Sequence, residues 1–263
     1  MDNRAIGVYD SGIGGTTVFR DLKNIMSLEK YLYFGDTKNL PYGTKTKEEL
    51  LKISRVIFDF FETQNVKAVV MACNTTSSMV YEEMKNKYSF ELYPIIQTAA
   101  KCIAKRNEGK IGVLATIATT STNKYKDELI KNNPNLDVIQ MACPDWVKIV
   151  ESGDYENPEN IEIIKRSLIP VVEAGCKNII LGCTHYPYLT NVLRKITNNS
   201  INFINPSEDF TAFIQQDLEQ KNLLSDIKKE QEVDFYVSSN PENFMKASKS
   251  FYELKKLPKL ITL

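Results

Sequence analysis

Apolar and polar residues follow two alternating periods along this chain. Ala5-Ile6-Gly7-Val8-Tyr9, Tyr31-Leu32-Tyr33-Phe34 and Val69-Val70-Met71-Ala72 are short apolar runs of the kind that form buried strands. Between them the spacing becomes that of amphipathic helices. One helix ends near Met26, and a longer one carries Leu50, Ile53, Ile57, Phe60 and Phe61 on a single face. Thr46 and Glu49 form a capping-box signature at its start. Further strands are expected at 92–96, 110–115, 136–141, 179–182, 201–204 and 232–237. Helices are expected from Asn74, after the polar turn 116–122, around Glu151, from Asn157-Pro158 to Gly175, after Pro187, from a cap at Ser207, and from Asn240-Pro241. This alternation predicts an α/β fold built on mostly parallel sheets.

The pattern also repeats itself. Ile6-Gly7-Val8 returns as Ile111-Gly112-Val113, an offset of 105, and Cys73 returns as Cys183, an offset of 110. Each cysteine ends an apolar strand and is followed by small polar residues, Asn74-Thr75-Thr76 in one case and Thr184-His185 in the other. The echo predicts two halves. Residues 1–97 together with 207–263 form the first domain, and 98–206 form the second. Ligands of open α/β sheets bind at the C-terminal ends of strands. Two thiols delivered there suggest one site built from two half-sites.

Composition narrows the function. Lys+Arg and Asp+Glu both number 33, so no net basic field attracts nucleic acid or an anionic membrane. No run of roughly 18 apolar residues occurs, and no apolar signal segment precedes the first strand, so a cytosolic, reducing location is expected. Five cysteines at irregular spacing make a poor disulfide framework. The solitary histidine, His185, and the lack of a CxxC or HxxxH pair argue against a zinc site.

A free cysteine is usually a small buried hydrophobe. That role suits Cys102, Cys143 and Cys176. Cys73 and Cys183 differ because each sits at a strand-to-helix turn, where helix amides favour a thiolate. Asp10-Ser11-Gly12-Ile13-Gly14-Gly15 adds an acid and a glycine turn at another strand end, a better fit to a small carboxylate than to a pyrophosphate. Pro41-Tyr42-Gly43 falls at the same rim, and Thr116, Thr119, Thr120 and Thr122 are suited either to capping a helix or to donating hydrogen bonds to a ligand. A base on one face of a carbon and an acid on the other invert a stereocentre by proton transfer, and Asp10 and His185 are polar partners for the two thiols.

These spaced motifs, with Tyr33-Phe34-Gly35-Asp36-Thr37, Ala72-Cys73-Asn74-Thr75, Cys143-Pro144 with Glu151, and Gly182-Cys183-Thr184-His185, resemble those of the bacterial glutamate racemases of the cofactor-independent aspartate/glutamate racemase superfamily. The likeness runs nearly end to end. It implies two α/β domains related by a pseudo-twofold axis, with the site between them. It implies interconversion of L- and D-glutamate for peptidoglycan without pyridoxal phosphate or metal, and a homodimer. Carried over by position, Cys73 and Cys183 are the acid/base thiols, assisted by Asp10, His185 and Glu151. Ser11, Pro41, Tyr42, Gly43, Asn74, Thr75, Thr116, Thr119, Thr120 and Thr184, with Asp10 and His185, bind substrate. The chain departs from the family pattern at Thr16, Lys38, Asn39 and Asp145. Alternatives are an aspartate or hydantoin racemase, a thiol–disulfide protein, and a non-catalytic binder of small carboxylates.

Overall fold

The computed structural model describes all 263 residues, Met1–Leu263. The first part of the chain runs β1 (Ile6–Asp10), α1 (Thr16–Ile25), β2 (Tyr31–Gly35), α2 (Lys47–Thr63), β3 (Ala68–Met71), α3 (Asn74–Met79), α4 (Tyr81–Met84) and β4 (Glu91–Pro94). It continues through α5 (Ile95–Arg106), β5 (Lys110–Ala115), α6 (Ile117–Ser121), α7 (Lys124–Asn132), β6 (Asp137–Ala142), α8 (Trp146–Ser152), α9 (Pro158–Glu173) and β7 (Asn178–Gly182). The last part holds α10 (Thr190–Ile196), β8 (Asn202–Ile204), α11 (Ser207–Gln220), β9 (Asp234–Val237), α12 (Pro241–Ser248) and β10 (Lys259–Leu260).

Two sheets result, with strand orders β10-β9-β2-β1-β3-β4 and β6-β5-β7-β8, and every pairing is parallel. Read from the same end, β4-β3-β1-β2 matches β8-β7-β5-β6 strand for strand. The repeated Ile-Gly-Val has a packing cause. A Cβ on Gly7 would lie 2.8 Å from the Phe61 ring of α2, and one on Gly112 would lie 2.5 Å from Val171 of α9. In each half a helix presses onto the central strand at its glycine. The late strand β9 has no counterpart in the second sheet. It pairs with β2 and extends the first.

Parallel strands are covered on both faces, which is why they read as continuous apolar runs. Ile6, Val8, Tyr31, Tyr33 and Val70 point into a core that continues past α5 to Ile111 and Val113 of the second sheet. Tyr9, Leu32, Phe34, Val69 and Met71 point the other way, against Leu50, Ile57, Phe58 and Phe61 of α2. The capping box opens α2 as expected. Thr46 Oγ1 accepts from the Glu49 N–H at 3.2 Å, and Glu49 Oε2 accepts from the Thr46 N–H at 2.8 Å. Such a cap contributes about 1 kcal/mol.

Four expectations need correction, the first being the strand expected at 232–237, which begins at Asp234. The strand expected at 92–96 stops at Pro94, and Ile95 already belongs to α5, because the Ile96 N–H donates to Ser77 Oγ at 3.1 Å instead of to a neighbouring strand. Ser207 does not cap its helix. It is the first helical residue after Pro206, its N–H donates to Asn205 Oδ1, and its hydroxyl donates to Asp21 Oδ2 at 2.6 Å. The polar stretch 116–122 is itself the short helix α6, capped by Thr116.

Candidate active site

β1 ends on Asp10, and the chain turns at once into α1 through three glycines. Asp10 is fully buried. Its carboxylate accepts from the Gly12 N–H at 3.0 Å and from the Thr184 hydroxyl of the other half at 3.0 Å. That reach across the boundary depends on Gly14, where a Cβ would fall 2.4 Å from Thr184 Oγ1 and 2.6 Å from His185 Nδ1. Burial raises the Asp10 carboxyl above the usual range, against the opposing pull of the His185 charge and the Gly12 amide.

β3 delivers Cys73 to the N-cap of α3. Its Sγ lies 3.9 Å from Ser11 Oγ. Against the expectation that helix amides favour a thiolate here, burial pushes the thiol up to about 12, and the charges of Asp10 and Cys183 add to the rise. The next residue, Asn74, accepts a 2.6 Å bond from the Tyr125 hydroxyl at Oδ1, while its Nδ2 is buried without a partner. Thr75 Oγ1 meets Thr116 Oγ1 at 3.0 Å and Thr119 Oγ1 at 3.3 Å, so hydroxyls of α3 and of the Thr116 cap of α6 close across the boundary.

β7 delivers Cys183 in the same way. Its Sγ is 3.9 Å from His185 Nδ1, and His185 Nε2 is 2.7 Å from Glu151 Oε1 on α8. Desolvation lowers the proton affinity of this buried imidazole. Cys183 and the Glu151 carboxylate outweigh it and hold the imidazolium well above its ordinary range. The two half-sites thus form one connected set. Cys73 touches Ser11, Asp10 next to it holds Thr184, and Thr184 joins Cys183 to His185. None of Asp10, Ser11, Cys73, Asn74, Thr75, Cys183, Thr184 or His185 is more than 7% exposed, so these side chains are shielded from solvent. An enclosed pair of carbon acids' natural partners, two thiols flanked by hydroxyl, amide and carboxylate groups, suits proton transfer on a small polar ligand.

The family described as Asp/Glu/Hydantoin racemase matches residues 16–208. A glutamate racemase of Trichodesmium erythraeum is 36% identical over 241 residues, covering 92% of this chain and 88% of that one. This chain belongs to the Asp/Glu/Hydantoin racemase family. Among solved structures, this racemase superposes on a glutamate racemase from Francisella tularensis in complex with D-glutamate with a TM-score of 0.90 at 31% identity, covering 100% of this chain and 98% of that one. Glutamate racemase isoform RacE1 from Bacillus anthracis gives a TM-score of 0.93 at 27% identity, covering 100% and 99%. The protein is therefore an enzyme, an isomerase, with the two-domain α/β architecture of these neighbours.

Within the racemase, the residues selected from sequence separate by placement. Asp10, Ser11, Cys73, Asn74, Thr75, Thr116, Thr119, Glu151, Cys183, Thr184 and His185 are linked by the contacts above. Gly43 adjoins them, since a Cβ there would sit 2.8 Å from the Thr116 Cβ. The Tyr42 phenol turns inward instead, donating to Asp36 Oδ2 at 2.5 Å and meeting Tyr9 OH at 3.0 Å. Pro41 is half-buried before it. The Thr120 hydroxyl is spent on its own helix, donating to the Thr116 and Ile117 carbonyls. Sequence reasoning passed over Tyr125, which bonds Asn74 from α7, and Tyr188, whose hydroxyl lies 3.0 Å from Thr16 Oγ1 across the boundary. Nothing in local periodicity marks either one. No His/Cys/Asp/Glu cluster of three or more is arranged to hold a metal ion, and no helix is long and apolar enough to cross a membrane.

Proposed function

We propose that this racemase interconverts L- and D-glutamate through Cys73 and Cys183. One cysteine, as thiolate, takes the proton from Cα and becomes a thiol. The electron pair left on Cα is delocalised toward the adjacent carboxylate, giving a planar centre. The opposite thiol then returns its own proton to the other face and becomes the thiolate. Configuration inverts and no net proton is consumed. In the reverse direction the roles exchange. His185, held between Cys183 and Glu151, supports the charge on one thiol. Asp10 and Ser11 stand beside the other. Asn74, Thr75, Gly43, Thr116, Thr119 and Thr184 supply the polar wall for the carboxylates and amine, and their donors stabilise charge as it develops.

The observation that carries this reading is the matched delivery of two cysteines, one by β3 and one by β7, into one buried set of polar side chains that includes the unpartnered Asn74 Nδ2 donor. The name glutamate racemase carried by its relatives supports glutamate over aspartate as the substrate of this chain. The same reading includes opening of the lobes to admit substrate, free thiols in a reducing cytosol, a homodimer, and supply of D-glutamate to peptidoglycan. Residues 1–97 with 207–263, and residues 98–206, are the units proposed to move.

The test is incubation of each pure enantiomer of glutamate and aspartate, followed by optical rotation. Both glutamate enantiomers are expected to converge on the racemate, with aspartate far slower. Turnover of aspartate without glutamate would overturn the substrate assignment. Growth of a D-glutamate-requiring bacterium on this gene checks the cell-wall role, and failure of an expressed, active enzyme to support it would refute that part.

A further inference from the structure

Asn74, the residue after Cys73, is buried. An amide presents an acceptor at one edge and a donor at the other, and turning it by half a revolution exchanges them. Here Oδ1 is committed to the Tyr125 hydroxyl at 2.6 Å, which leaves Nδ2 as the buried edge without a partner. Tyr125 comes from α7, while Asn74 begins α3. The phenol is fully buried. Its ring lies against the residue before Cys183, since a Cβ on Gly182 would sit 3.0 Å from Tyr125 Cε2. One side chain therefore bonds the residue after Cys73 and packs on the residue before Cys183.

We propose that Tyr125 is a positioning residue: its hydroxyl, donated from the second half to the first, holds Asn74 with Nδ2 turned toward the bound amino acid. Without the phenol, the amide loses its one side-chain hydrogen-bond partner and turns more freely, and some of its orientations aim a carbonyl oxygen at substrate carboxylate oxygens. The bond runs from one half to the other, so their apposition sets Asn74. This inference rests on the racemase reading above and assigns to that site a residue that does not itself touch substrate.

Tyr125→Phe keeps the ring against Gly182 and removes only the hydroxyl. Its kcat/KM for glutamate is expected to fall about tenfold to a hundredfold, the range for leaving a buried polar group unpaired. In an Asn74→Ala background the same substitution is expected to change kcat/KM less than about twofold, because its target is gone. A thermal-melt series separates positioning from simple stitching of the halves. With positioning, Tyr125→Phe lowers Tm of the free protein by about 2–4 °C per kcal/mol of lost hydrogen bonding and shrinks the rise in Tm produced by glutamate. The inference fails if Tyr125→Phe racemises glutamate within twofold of wild type. It fails equally if the loss persists undiminished beside Asn74→Ala, or if free Tm drops while the glutamate-induced rise stays intact. Inactivity of the wild type on glutamate would instead overturn the racemase reading.

Discussion

Gly14→Ala isolates the contact between the two halves. A Cβ there would stand 2.4 Å from Thr184 Oγ1 and 2.6 Å from His185 Nδ1. Non-bonded atoms of this kind rest at about 3.5 Å, so something must withdraw by roughly 1 Å. Gly14 has no left-handed φ, and alanine therefore meets no backbone penalty there; the whole effect is steric. If the halves part, the 3.0 Å bond from Thr184 to Asp10 is lost. If the Thr184 and His185 side chains turn aside instead, the same bond and the approach of His185 to Cys183 are lost. A misplacement of about 1 Å near reacting groups costs on the order of a hundredfold in rate. The assay is racemisation of D-glutamate followed by circular dichroism, with far-ultraviolet spectra to confirm the fold. A folded Gly14→Ala enzyme with kcat/KM within twofold of wild type would show that close apposition at this glycine is unnecessary.

Two further outcomes follow from the charges and hydroxyls of the chamber. The His185 pKa is raised in the folded protein, so its contribution to stability is complete below the unfolded value of about 6.5 and is lost as pH climbs through the raised folded value. Melting temperature is expected to decline across that window, and Glu151→Gln, which removes one of the groups raising the pKa, is expected to flatten the decline; equal slopes would refute the pairing. Thr116 both caps α6 and bridges to Thr75 and Thr119. Thr116→Val should lower unfolding free energy by about 1 kcal/mol and raise KM about tenfold, and an unchanged KM would remove the threonine cluster from the binding wall.

The parts legible in the sequence were those with local causes. Strands β3 and β7 are apolar because both faces are covered, and the polar residues after each cysteine begin the next structure, so Cys73 and Cys183 stood out together. The repeated Ile-Gly-Val had a reason as well, a helix resting on Gly7 and another on Gly112. What escaped notice depends on partners distant in the chain. Tyr125 lies in a lysine-rich helix start whose own period says nothing of Asn74, 51 residues earlier. Tyr42 follows β2, yet its phenol turns to Asp36, which also accepts from Ser238 just after β9. Only the return of the late strand to β2 brings that serine there. The short edge strand β10 carries Lys259 and Leu260, both exposed, and gives no apolar run to detect.

The most direct test of two-thiol chemistry is α-proton exchange in heavy water, measured by NMR on each pure glutamate enantiomer with Cys73→Ser and with Cys183→Ser. A thiol on one face still removes and returns a proton on that face, exchanging it with solvent deuterium, although inversion needs both. Each variant is predicted to lose racemisation in both directions while exchanging one enantiomer, and the two variants are predicted to exchange opposite ones. Near-normal racemisation by either variant, or exchange of the same enantiomer by both, would contradict the account.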